Sequence, residues 1–173
     1  MLDPRRSELR DLLVAYQPFD EREAAYLDAM LVLADDESDV LSRNHFVPGH
    51  FTASGFVLSP DRTTLLLVHH AKLDKWLQPG GHVEPEDAGL EPAARREVLE
   101  ETGVAGLGSM GLIDIDIHQF PARGSEPAHD HLDVRFGFVA ASDQVEAGEG
   151  TIEVRWFHLA EVASWHDRPS MSR

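Results

Sequence analysis

Residues 80 to 104 join a glycine pair to a helix with three carboxylates on one side: Gly-Gly-His-Val-Glu-Pro-Glu-Asp-Ala-Gly-Leu-Glu-Pro-Ala-Ala-Arg-Arg-Glu-Val-Leu-Glu-Glu-Thr-Gly-Val. At about 100° per residue, Glu97, Glu100 and Glu101 fall within an arc of about 100°. Leu90, Ala94 and Val98 lie beside that row, so the acids sit where the buried stripe meets solvent, against the scaffold. Like charges three and four apart cost roughly 0.2–0.5 kcal/mol per pair, and Arg96 relieves only one flank by pairing with Glu100 at i,i+4. A bound cation removes the conflict. Every candidate ligand is an oxygen, which suits a hard ion that keeps waters and substrate phosphates in its shell: Mg2+, with Mn2+ as its substitute. An acidic amphipathic helix with no ligand would explain Glu100-Glu101 alone, but not the whole string.

The string resembles the signature box of the Nudix hydrolases: Gly, five residues, Glu, seven residues, Arg-Glu, an aliphatic, any residue, Glu-Glu, any residue, Gly, an aliphatic. The second half matches at Arg96, Glu97, Val98, Glu100, Glu101, Gly103 and Val104. In the first half, Gly81 is followed after five intervening residues by Asp87 instead of Glu, and eight residues instead of seven separate Asp87 from Arg96. A one-residue insertion before the helix explains both, leaving Glu86 or Asp87 to fill the supporting role. Trp76-Leu-Gln-Pro-Gly-Gly81 looks like the family's entry to the box, and Glu153-Val-Arg-Trp-Phe157 like its last core strand, so the resemblance covers roughly residues 49 to 163. It implies a Nudix-type α/β/α sandwich with a mixed sheet. It also implies metal ligation by Glu97, Glu100, Glu101 and the backbone carbonyl of Gly81, where close approach leaves little room for a Cβ.

A chain of 173 residues makes one domain with its own core. Fifteen Lys and Arg against 31 Asp and Glu give a formal charge of −16, which repels a long polyanion and argues against RNA or DNA. A small phosphorylated metabolite remains compatible, because a metal and a few basic groups can reverse the field inside one cleft. With no cysteine, disulfides, thiolate zinc sites and cysteine nucleophiles are excluded. The start lacks a signal-peptide core and no apolar run reaches the roughly 20 residues of a membrane span, so the expected location is the cytoplasm.

Asp3-Pro4 predicts a capped helix over 4–16 with Leu9, Leu12, Leu13 and Tyr16 on one face, and Asp20 with Glu23 predicts the start of a second with Leu27, Met30 and Leu31 inward. These helices form an extension over residues 1–44, outside the Nudix-like domain at 45–173, and pack on that domain or on a second copy of the chain, which leaves a homodimer open. Strands follow at 51–58, 64–70, 111–120, 132–140 and 152–157, and a last helix begins near Leu159. Residues 121–130 read as a loop beside the site.

Hydrolysis of a phosphoanhydride needs a base for the attacking water: Glu97, Glu101, or a late carboxylate, Glu149 or Glu153. Arg96 projects from the flank of the acid row and reads as an orienting partner, not a phosphate binder. Before the glycine pair, Lys72, Lys75 and Gln78 are candidate substrate contacts, although single lysines are more often solvated. His82 follows the glycines directly. Alternation puts His131, Asp133 and Arg135 on one strand face, joined by His129 if the strand starts early, which suits a sugar, base or phosphate, or a solvated sheet face. The His129-x-His131 spacing also admits zinc, although the carboxylate row explains a metal better. The expected function is metal-dependent cleavage of a diphosphate linkage in a nucleotide or nucleotide-sugar; the alternative is a non-catalytic module of the same fold that binds or senses a nucleotide.

Overall fold

The computed structural model describes residues 3–148 and 150–167. Two capped helices lead the chain. In α1 (Pro4–Ala15) the Asp3 side chain accepts from Arg5 N at 3.0 Å, with Pro4 opening the first turn. In α2 (Glu21–Ala34) Asp20 accepts from Glu23 N at 2.8 Å. The Glu23 carboxylate turns back to Phe19 N at 2.7 Å and the Tyr16 hydroxyl at 2.9 Å, so this cap also locks the end of α1 to the start of α2.

Seven strands follow: β1 (Gly49–Leu58), β2 (Thr64–His70), β3 (Lys75–Leu77), β4 (Gly80–His82), then after helix α3 (Leu90–Thr102), β5 (Leu107–Phe120), β6 (His129–Ala140) and β7 (Thr151–His158). Helix α4 (Leu159–Ala163) closes the described chain with a 3-10 turn. The sheet is mixed. β1 runs parallel to β6 from Gly49↔Asp130 to Leu58↔Val139, β5 lies antiparallel on β6, β4 adds to β1, and β2 carries β3 and β7.

Period-two alternation divides the sheet into two unlike faces. Phe51, Ala53 and Val57 of β1, with Leu132, Val134, Phe136 and Phe138 of β6, meet Leu90, Ala94 and Val98 of α3 in the main core. Leu9, Leu13, Met30 and Leu33 of the N-terminal helices belong to the same cluster, so these helices share the core of the sheet they cover. On the opposite face, Leu65, Leu67 and Phe157 form a smaller core with Phe56, Leu58, Val162 and Trp165 under α4. The rest of that face is polar: His50, Thr52 and Ser54 of β1 stand beside His131, Asp133 and Arg135 of β6. No described helix is long and apolar enough to cross a membrane.

The glycine pair, expected as a loop, is instead strand β4, with Gly80, Gly81 and His82 opposite Ser54, Ala53 and Thr52. Three residues with two glycines carry no alternation signal, and a Cβ on Gly80 would lie 2.3 Å from Ser54 Cβ. Close backbone packing therefore demands glycine there.

Candidate active site

Helix α3 anchors the acids through its apolar stripe: Leu90, Ala93, Ala94 and Val98 are fully buried, and Gly103 ends the helix at φ 72°. This fixes Glu97 and Glu101 against β4. Glu101 accepts a hydrogen bond from Gly80 N at 3.0 Å. A Cβ on Gly81 would stand 2.7 Å from Glu97 Oε1, so glycine leaves the space beside that carboxylate open. Glu100, 55% exposed, faces solvent. The 141–150 loop closes on the helix end, with Gly148 N donating to Glu101 O at 3.0 Å and Glu146 N to Thr102 O at 2.9 Å.

Burial pushes the Glu101 carboxyl up to about 7, against the opposing Gly80 N–H and helped by Glu97 and Glu100. Burial also raises Glu97, with Arg96 opposing. Two partly desolvated carboxylates beside a third, all oxygen donors around a space a Cβ would fill, fit a hard divalent cation. A linkage prediction follows. Because the folded pKa of Glu101 lies above the ordinary glutamate value of 4.5, the native state holds the extra proton between pH 4.5 and about 7, and stability contributed by Glu101 falls as pH rises through that window. Glu101→Gln has no such titration. Thermal melts across pH 5 to 8 without divalent ions should show the variant gaining on wild type as pH rises, and parallel curves would contradict the assignment.

Arg96 holds this constellation together. Its Nε and Nη2 bond both oxygens of Asp87 at 3.0 Å each. Nη1 reaches Glu97 at 2.9 Å and Glu100 at 3.1 Å, and Nη2 also reaches His82 O at 2.8 Å. Asp87 is buried and accepts from Glu84 N at 2.8 Å, whereas Glu86 is exposed. Asp87 is therefore the acid that Arg96 grips across the inserted loop, and the planar guanidinium is used to orient carboxylates.

Gly81→Ala probes the same contact. The side chain it would displace is a carboxylate, which can move, so the variant should fold but lose at least about 10-fold in metal affinity. Calorimetric Mg2+ titration beside a thermal melt checks this; unchanged affinity would remove Gly81 from the site.

The other candidates distribute unevenly. Lys72 and Lys75 lie exposed around the β2–β3 turn. Gln78 Nε2 reaches Asp133 at 3.5 Å. Arg135 is held by three carboxylates: Asp133 through Nε at 2.9 Å, Asp114 through Nη1 at 2.8 Å and Asp116 through Nη2 at 2.9 Å. Asp133 also accepts from Thr52 and Ser54 at 3.0 and 2.8 Å, completing a buried network on the face away from α3. Glu153 pairs with Arg155 at 2.6 Å on the surface, and Glu149 lies outside the described residues.

β6 does start early, at His129, and His129 and His131 approach at 3.2 Å between their Nε2 atoms. One ring nitrogen each of His50, His82 and His131 lies within 4.8 Å of the others. Burial lowers His50 and His82 to about 4 and His131 to about 2, so these imidazoles are neutral at pH 7. Sequence reasoning did not single out His50, Thr52, Ser54, Asp114 or Asp116. The polar alternation His50-x-Thr52-x-Ser54 inside an apolar strand was the available signal.

A glycine strand set against an orienting Arg and a row of acids on the helix of an α/β/α sandwich is an arrangement whose oxygen donors suit a hard divalent cation. The NUDIX domain model matches residues 49–173, and the chain belongs to that family. A probable DHNTP pyrophosphohydrolase of Lactococcus lactis subsp. cremoris (strain MG1363) is 30% identical over 100 residues, 57% of this chain and 58% of that protein. The match thus spans less than two thirds of that relative. The E. coli dihydroneopterin triphosphate pyrophosphohydrolase superposes with a TM-score of 0.54 at 16% identity, covering 66% of this chain and 84% of that one. A NUDIX-family hydrolase from Clostridium perfringens gives 0.51 at 22%, covering 71% and 86%. At these identities the two structures speak for the fold alone.

Proposed function

We propose that this protein is a metal-dependent pyrophosphohydrolase that cleaves a diphosphate linkage in a small nucleotide-like metabolite, such as a nucleotide or nucleotide-sugar. The observation that carries the reading is the pair Glu97 and Glu101 set against Gly81 and Gly80, with Glu100 beside them on Arg96 and Arg96 clamped by Asp87.

Glu97, Glu100, Glu101 and the Gly81 carbonyl would hold Mg2+, or Mn2+ in its place. When bound, such an ion offsets charge on the phosphoryl oxygens and activates a water. The chain's own residues do the rest. Arg96 fixes the rotamers of Glu97 and Glu100 before substrate arrives, which lowers the reorganisation cost of assembling the site. The desolvated Glu101, or Glu97 beside it, accepts the proton of the attacking water as oxygen bonds to phosphorus and the phosphate-bearing group leaves. Glu146 and Gly148 tie the chain to the end of α3, and Glu149, outside the described residues, stays a further base candidate from the sequence.

The similarity to the Lactococcus protein named for DHNTP adds a pterin triphosphate to the substrates worth testing. A phosphatase-coupled screen should compare wild type and Glu101→Gln on nucleoside triphosphates, nucleotide-sugars, dinucleoside polyphosphates and dihydroneopterin triphosphate, with Mg2+ and with Mn2+. Turnover of one class by wild type alone is the expected result. Silence on every substrate, with nucleotide still bound in a thermal-shift assay, would move the assignment to a non-catalytic binding module.

A further inference from the structure

The histidines of the polar sheet face stand apart from the carboxylate row. His82 follows Gly81 in β4, and because Gly81 turns its Cβ position toward Glu97, alternation directs His82 to the opposite face of the sheet. There it meets His50, its ring centroid 5.1 Å away, and His131 at 5.4 Å. His50 and His131 are direct partners in the parallel β1–β6 register.

Backbone carbonyls set the tautomers of His50 and of His129, the neighbour of His131. A carbonyl can only accept, so His50 Nδ1 donates to His45 O at 3.1 Å and its lone pair sits on Nε2. His50 is 0% exposed, and that Nε2 is a buried ring nitrogen with no hydrogen-bond partner among the described residues. By the same logic His129 Nδ1 donates to Pro127 O at 2.8 Å, which leaves Nε2 as the acceptor of the pair it forms with His131. His131 Nε2–H then donates to it across 3.2 Å, and the lone pair of His131 falls on Nδ1. A histidine whose second nitrogen donates to a carbonyl or another acceptor is the arrangement that prepares imidazole for a metal. An orphaned polar nitrogen in the interior is otherwise destabilising, because its lost hydration is not replaced.

We propose that His50, His82 and His131 form a second metal site, for a zinc-class divalent ion (Zn2+, or Co2+ as its probe), with His129 as the outer partner of His131. Three imidazole nitrogens and no carboxylate favour such an ion over Mg2+, which takes oxygen ligands. Three protein ligands leave a fourth position open to water or to an exogenous donor. The site is separate from the oxygen-ligated one across the sheet, and it does not rest on the hydrolase reading.

Titration of the full chain with Co2+, followed by visible absorption and calorimetry and then displaced by Zn2+, tests it. Wild type should bind one equivalent of Co2+ that carries the intense ligand-field band of a four-coordinate nitrogen site, counted apart from any uptake at the carboxylate row, and Glu97→Gln and Glu101→Gln should keep that band. His131→Gln should weaken binding at least about 100-fold. His82→Gln, at a half-buried position that tolerates polar replacement better, should do the same, with thermal melts confirming that both variants fold. No one-equivalent binding by wild type, affinity unchanged in the folded histidine variants, or loss confined to the glutamate variants would each overturn the proposal.

Discussion

Glu101→Gln should lower kcat for phosphoanhydride cleavage by at least about 100-fold at saturating Mg2+, matching or exceeding the cost of losing an outer-shell partner of a metal site. The same change should leave the protein at least as stable as wild type at pH 8. The two halves of this prediction have one cause. Burial makes the ionised Glu101 costly in the metal-free protein, so neutralising it removes a strain while removing a ligand. Glu100→Gln should also reduce turnover, with little change in melting temperature because Glu100 is largely exposed. Steady-state kinetics paired with melts separates a lost ligand from a lost fold. Full activity in both variants would remove the carboxylate row from the chemistry.

Arg135→Met should cost the fold about 3–5 kcal/mol, the usual penalty for removing one partner of a buried ionic network. For a chain of this size that lowers the melting temperature by about 6–20 °C. Arg135 bonds Asp114, Asp116 and Asp133 together, and Asp133 is nearly inaccessible. Without the guanidinium, a buried carboxylate keeps only the Thr52 and Ser54 hydroxyls and a long contact from Gln78. Adding Asp133→Asn to Arg135→Met should recover part of the loss, since the orphaned charge goes with it. A melting temperature within about 2 °C of wild type would mean that water reaches these groups and that Arg135 is available to a ligand.

What could be read along the chain was what repeats locally. The helical stripe Leu90, Ala94, Val98 and the acid row beside it fall on one turn-by-turn pattern, and the structure buries the first and gathers the second as that pattern requires. Caps at Asp3 and Asp20 likewise act within a few residues. β5 starts earlier than alternation indicates, at Leu107, because its register slips between Ser109 and Gly111 and again between Leu112 and Asp114. The choice between Glu86 and Asp87 depends on which one the loop turns inward, a property of loop shape rather than residue type.

The polar face was legible only in fragments. His131, Asp133 and Arg135 were expected on one side of β6, but their partners lie on β1, β4 and β5, and strand register decides which of them meet. Parallel pairing of β1 with β6 brings Thr52 to Asp133 and His50 to His131 with no turn between them to announce it. Arg135, read as a substrate contact, is held by carboxylates that only the folded sheet assembles.

The most direct test of the central claim is hydrolysis of the preferred substrate in 18O-labelled water, run with wild type and Glu101→Gln over a Mg2+ titration. The predicted result is Mg2+-dependent appearance of one 18O in a phosphoryl product of the wild type, with the variant slowed by at least about 100-fold. Label incorporated equally by both proteins, or by wild type without any divalent ion, would contradict the assignment of Glu97, Glu100 and Glu101 as the metal-holding acids of a pyrophosphohydrolase.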